Sequence, residues 1–174
     1  MAAILEQVRQ RANFACEYCG VTEEDSGGKL TIDHFQPRSK NGSDSLENLL
    51  YCCIRCNQYK QNYWPENPDQ PSLWNPRQEP AFQHFLQLDN GTLYPLTSTG
   101  AFTLKRLRLN RSFLVAHRLK KQQREKELRL LMRYQELVKV LAQLQMQLSD
   151  LIEEQQTLLK EQQELLILLL NRKN

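Results

Sequence analysis

Two Cys-x2-Cys pairs, Cys16/Cys19 and Cys53/Cys56, constrain this chain more than any other feature. Four thiolates are the set that a structural Zn²⁺ takes as a tetrahedron, and such a closed shell leaves no position for chemistry. The 33 residues between the pairs exceed a compact zinc ribbon and leave room for a strand, a loop and a second strand. Cys52 adjoins Cys53, and the spacing selects Cys53 as the ligand, leaving Cys52 as a small buried thiol. The N-terminal segment carries no apolar run of leader length, so the cysteines point to metal rather than disulfides, in a cytoplasmic setting.

Composition divides the chain. All six Gly and all seven Pro lie at or before Gly100; the 74 residues that follow are rich in Leu, Gln, Glu, Lys and Arg. Residues 1–100 hold 8 basic and 12 acidic side chains, a net of −4; residues 101–133 hold 11 and 2, a net of +9; residues 134–174 hold 4 and 6, a net of −2. A local +9 is suited to a phosphate backbone, although a solvated helix face carries such charge as well. The longest apolar run, Leu165–Leu170, has six residues, far short of the ~20 of a membrane span.

Residues 2–13 read as a short amphipathic helix. Gly27-Gly28 marks a turn, and Lys29–His34 alternates as a strand; Phe35–Glu47 reads as a loop. Asn48–Cys52 is a second strand, and Arg55–Gln61 opens a helix from the second cysteine pair. Five prolines between Pro65 and Pro80 predict an irregular wrap, with Trp64 and Trp74 set against a small core. Phe85–Leu88 and Thr92–Leu96 flank Asn90-Gly91, a hairpin signal. Thr99 and Asn110 are candidate caps for a short helix and a long one. His84 and His117 have no partner spacing and read as structural.

Beyond Asn110 the pattern is long and regular. Leu130, Leu137, Leu144, Leu151, Leu158 and Leu165 recur every seventh residue, and Tyr134, Leu141, Leu148, Gln155, Gln162 and Leu169 fill the second seam position. Such a seam predicts a coiled coil, about 90 Å long if the helix is unbroken to Leu170. It requires a second copy, a different protein or the chain's own domain to cover it. Gln155 and Gln162 either set its register or are tolerated imperfections.

Between the cysteine pairs stand Asp33-His34 at the end of the first strand, Asn48 at the start of the second, and Asn57 in the first turn of the helix. This order resembles the HNH endonuclease family, also called ββα-metal nucleases, in its zinc-knuckle branch. The similarity is tight over residues 9–61 and weaker over Trp74–Arg118. The resemblance implies that Asp33 and Asn57 hold one catalytic divalent ion, that His34 is the general base, and that Asn48 braces the loop and orients His34. Many members carry histidine where this chain has Asn57. Chemistry agrees: a neutral imidazole takes a proton near pH 7, and an all-oxygen pair of ligands suits Mg²⁺ or Mn²⁺. Adjacent strand residues point to opposite faces, so Asp33 and His34 serve one site only where the strand ends or twists.

The expected fold is α+β: a small zinc-stapled ββα-metal nuclease domain followed by a long C-terminal helix forming a coiled coil. The expected divisions are a nuclease core at 1–62, a wrap, hairpin and short helix at 63–110, and a basic then Leu-heptad helix at 111–174. Arg38, Lys40, Arg55 and Lys60 are candidate phosphate contacts near the motif. Lys105, Arg106, Arg108, Arg111, Arg118, Lys120 and Lys121 form the basic stretch beyond it. The expected activity is nicking or double-strand cleavage of DNA, in a bacterial or phage defence or DNA-processing system. The partner beyond DNA is a second copy or a different protein at 130–170, and no membrane. Two rival readings are a non-catalytic zinc module that binds nucleic acid and an interaction subunit of a larger machine.

Overall fold

The computed structural model describes residues 2–171. Met1, residues 172–174 and the side chains of Ala2, Ala3, Leu169, Leu170 and Asn171 lie outside the described residues. The chain forms two units, Met1–Gln122 and Gln123–Asn174. The first is mixed α+β and the second is helical.

The first unit starts with α1 (Ala2–Arg11). It ends two residues short of the expected 13, because Asn13 and Phe14 take positive φ values of 48° and 58°. The first cysteine pair follows in a tight turn. Gly20, at φ 75°, takes the left-handed conformation that closes it, and its N–H donates to Cys16 O at 2.8 Å. A short helix α2 (Glu23–Ser26), not anticipated, is capped by Thr22 and Asp25 in a reciprocal capping box. Strands β1 (Thr31–His34) and β2 (Leu49–Cys52) pair antiparallel, with Asp33 opposite Leu50 and His34 opposite Leu49. Helix α3 (Ile54–Lys60) leaves β2 directly, with Cys53 as its N-cap.

All four residues of β2 are buried. Alternation divides them between two cores. Leu50 and Cys52 join Tyr18, Trp74, Phe85, Leu107, Leu109 and Leu114, while Leu49 and Tyr51 pack on Val8 of α1. The first cysteine turn docks on the same strand: Glu17 N–H donates to Tyr51 O, and Glu17 Oε2 accepts from Tyr51 N–H at 2.7 Å. Tyr51 Oη accepts from Leu30 N–H at 2.9 Å and donates to Glu23. Arg9 grips the Glu23 carboxylate with two bonds of 2.6 and 2.7 Å, which holds that carboxyl down to about 2. This contribution is present above the ordinary carboxylate range and is lost as the pH falls toward that value.

Residues 65–80 contain no helix or strand, as the prolines require. Trp74 is buried edge-on to Phe85 and Tyr18, and Trp64 lies edge-on to Phe35. The hairpin β3 (Phe85–Gln87) and β4 (Leu93–Pro95) turns at Asn90-Gly91. Helix α4 (Ser98–Arg106) is capped by Thr97 rather than Thr99, because Thr97 has the extended backbone from which its Oγ1 reaches Gly100 N–H. Asn110 is not a cap either. Its amide donates to Leu93 O and accepts from Leu93 N–H, both at 2.8 Å, and so stands in for a strand partner of β4.

Helix α5 spans Ser112–Asn171. Its first turns belong to the first unit, where Leu114 is fully buried, so that unit ends at Gln122 rather than at 110. In the second unit the leucines from Leu130 to Leu165 are 53–62% exposed, so nothing within that unit covers the seam. No helix among the described residues is long and apolar enough to cross a membrane.

Leu50 has no exposed surface and sits where the core meets the sheet. Replacing it by Ala is expected to cost about 2–5 kcal/mol, read as a lower denaturation midpoint with an unchanged slope.

Candidate active site

The end of β2 and the start of α3 bring the two cysteine pairs together. The Sγ atoms of Cys16, Cys19, Cys53 and Cys56 all lie within 4.8 Å of one another, and Cys19 and Cys53 approach to 3.7 Å. Zn–S bonds of about 2.3 Å in a tetrahedron put sulfurs about 3.8 Å apart, so the cluster fits that ion. Hydrogen bonds from its neighbours, Cys19 first, push the Cys16 thiol well below its ordinary range, and the bond to Cys16 pushes Cys56 up. Four crowded thiols cannot all ionise without a cation between them. Arg111 Nη2 lies 3.9 Å from Cys56 Sγ, adding positive charge from the segment before α5. Cys52 stands outside the cluster, fully buried, with its Sγ 3.5 Å from Cys53 O.

Further along α3, Asn57 and Lys60 are three residues apart and share one helix face. That face meets β1. Asn57 Nδ2 lies 3.5 Å from Thr31 Oγ1, and Lys60 Nζ donates to His34 O at 2.6 Å and lies 3.1 Å from Asp33 Oδ2. Thr31 and Asp33, two apart on a strand, share a face, so Asp33 and Asn57 both belong to the β1–α3 contact. Asp33 Oδ2 is buried, and the Lys60 ammonium of that ion pair reaches it from outside hydrogen-bond geometry. Burial pushes the Asp33 carboxyl up, and Lys60 offsets only part of this. A buried carboxylate and an amide oxygen on one helix–strand contact are chemically suited as donors to a hard divalent ion.

His34 is the last residue of β1 and is directed to the loop instead. Its Nε2 lies 2.7 Å from Asp44 Oδ1, and Arg38 binds the same carboxylate at 2.8 and 2.7 Å. The bond from His34, then those from Arg38, holds the Asp44 carboxyl down. A carboxylate has no proton to give, so Nε2 donates, and in the neutral ring the lone pair is then on Nδ1. Asn48 clamps the same loop: Oδ1 accepts from Gln36 N–H at 2.8 Å, while Nδ2 donates to Gln36 O and Ser43 O at 3.0 and 2.7 Å. Asp44 was not singled out from the sequence, because no spacing rule connects a loop aspartate to a histidine ten residues earlier.

Residues 16–63 match the family model for HNH endonuclease. This segment is an HNH endonuclease domain. Over 63 residues the chain is 41% identical to a CRISPR-associated endonuclease Cas9 of Corynebacterium diphtheriae, a match covering 33% of this chain. The chain spans only 6% of that relative's length.

The cationic candidates scatter around the HNH domain. Two do not face solvent as expected. Lys60 has no exposed surface and is committed to Asp33 and His34. Arg118 is 7% exposed and donates to Gly91 O and Leu109 O, holding the hairpin to α5. Arg106 lies over Tyr63 and donates to Lys60 O; Arg108 and Arg111 lie over Tyr59. Arg38, Arg55, Lys105, Lys120 and Lys121 are exposed, and Lys40 reaches Glu66 at 2.6 Å. A groove of about 630 Å³ beside the end of α3 is lined by Lys40, Tyr63, Trp64 and Arg106 among others. His84 bonds Thr97 and Glu79, and His117 bonds Asp25.

Three outcomes check this geometry. Purified protein is expected to contain one tightly held zinc per chain by elemental analysis, with Cys56→Ser or chelation removing both zinc and the near-UV circular dichroism of the first unit. Lys60→Met strands a buried carboxylate and is expected to cost up to about 3–5 kcal/mol without added divalent ion, less whatever Asp33 recovers by binding a proton. A Cβ on Gly42 would meet Gln36 O at 1.7 Å. Gly42→Ala must therefore displace the loop that Asn48 clamps, at a cost of about 1–3 kcal/mol in denaturant unfolding with zinc content unchanged.

Proposed function

We propose that the protein is a metal-dependent HNH endonuclease that hydrolyses phosphodiester bonds in DNA. The single observation that carries this reading is the buried Asp33 Oδ2, met by the Lys60 ammonium alone and outside hydrogen-bond geometry, next in sequence to a histidine whose Nε2 is tied to Asp44. Asp33 and Asn57 would hold Mg²⁺ or Mn²⁺, which when bound would supply positive charge at the scissile phosphate and leaving oxygen. His34 takes the proton of the attacking water at Nδ1, the nitrogen that Asp44 leaves free. Asp44 fixes the ring and its tautomer and stabilises the imidazolium that forms. Asn48 holds the Gln36–Ser43 loop against β2 and so positions His34 indirectly. The zinc held by Cys16, Cys19, Cys53 and Cys56 does no chemistry, since its shell is closed.

The DNA backbone is met by exposed cations, with Arg38, Arg55 and Lys105 nearest the HNH domain in sequence and Lys120 and Lys121 on α5. Lys40, Tyr63, Trp64 and Arg106, on the groove beside α3, suit an unpaired base or a phosphate. Defence or DNA processing is the biological setting we infer from the family.

A supercoiled plasmid incubated with Mg²⁺, with Mn²⁺ and without divalent ion tests the reading. Nicked or linear product is expected only with added ion, and His34→Ala should lower the rate at least about 100-fold while retaining zinc. Unchanged cleavage by His34→Ala removes His34 as the base. No cleavage under any ion, with DNA still bound, leaves a zinc-dependent binding module.

A further inference from the structure

In the second unit of the chain, α5 carries an exposed apolar stripe and an ordered set of charges. Each leucine of the 130–165 series is followed four residues later by a member of the Tyr134 series, so the leucines are heptad d positions and the Tyr134 series a positions. The two flanking rows differ in kind. Row e is Leu131, Val138, Gln145, Ile152, Leu159 and Leu166, apolar at five of six places and exposed throughout. Row g is Lys126, Arg133, Val140, Gln147, Glu154 and Glu161, basic at its start and acidic at its end. The wider helix repeats that order: residues 120–133 hold six basic and two acidic side chains, and residues 150–164 hold one and five. These charges lie more than a turn from either end of α5, where the helix dipole does not account for their order.

Strand direction decides what these rows meet. Two parallel helices place row g of one beside row e of the other, here charge against leucine, and set like charges at the same level. Reversing one helix places e beside e and g beside g. We propose that residues 123–162 of α5 pair with a second copy of this chain in antiparallel orientation. One register satisfies both rows at once, with residue numbers across the seam summing to 285. Tyr134 then meets Leu151 of the second copy, Leu141 meets Leu144, and Leu148 meets Leu137. On the g side Arg133 meets Glu154 and Lys126 meets Glu161; on the e side Leu131 meets Ile152. The polar seam residue Gln162 lies opposite Gln123. Gln155 falls opposite Leu130, a polar place that weakens the seam while discouraging slippage. The two-fold axis passes between residues 142 and 143.

The test uses the full chain and two charge-reversed variants, Lys126→Glu/Arg133→Glu and Glu154→Lys/Glu161→Lys. Light scattering after size exclusion at tens of micromolar is expected to give twice the 20.5 kDa chain mass for the wild type. Each variant alone sets like charges across the seam and should weaken association at least about tenfold, giving monomer at the same concentration. An equimolar mixture of the two variants restores every g pair and should regain the dimer mass. Zinc content reports that the first unit remains folded in each variant. A monomeric wild type, which points to a different protein as the occupant, overturns the proposal. So do variants that dimerise as the wild type does, and a mixture that stays monomeric.

Discussion

The convergence of four thiols at the start of α3 is the constraint on which the first unit depends. The unit is small, and among the described residues its two sheets, β1–β2 and β3–β4, have two strands each. A two-stranded ribbon is marginal unless something packs on it. The cysteine cluster ties the Cys16–Cys19 turn to the helix that leaves β2, and the same turn fastens its Glu17 to the Tyr51 backbone. With that done, β2 is covered on both faces, and β1 hangs on β2 in a single register. Asp33, His34, Asn48 and Asn57 are all carried by, or clamped to, elements that this closure holds in place.

The same closure explains why two neighbouring residues perform different work. Asp33 is drawn into the β1–α3 contact, where Lys60 compensates it incompletely, while His34 meets the loop and Asp44. Strand alternation separates their side chains at the end of β1. Lys60 has a part in this that its surface-type chemistry conceals. Its charge stabilises the Asp33 carboxylate, and its bond to His34 O fastens the strand end to α3. The β1–α3 contact is therefore electrostatic at its centre and apolar around it.

The HNH domain and the leucine seam are under different physical demands. The former closes on itself through thiols, a buried ion pair and a loop clamp, all within one copy of the chain. The seam has no covering surface in its own unit. It is a row of leucines flanked on one side by apolar residues and on the other by charges of changing sign. Such an arrangement stores information about direction as well as about affinity, because burial is indifferent to polarity of the strand and charge is not.

Sequence alone determined those features that depend on spacing. The cysteine pairs, the strand-loop-strand between them, the hairpin at Asn90-Gly91 and the heptad run each follow from residues close together, or from a repeat that needs no partner to be recognised. The tertiary structure decided what depends on which distant groups meet. It showed that Asp44 holds His34 and Lys60 compensates Asp33, that Arg118 is spent on the hairpin, and that Asn110 completes β4 rather than capping α5. It also carried the compact unit into α5 as far as Gln122. A charge is written in the sequence, but whether it faces a phosphate or a buried carboxylate depends on packing across tens of residues, and no local pattern records that.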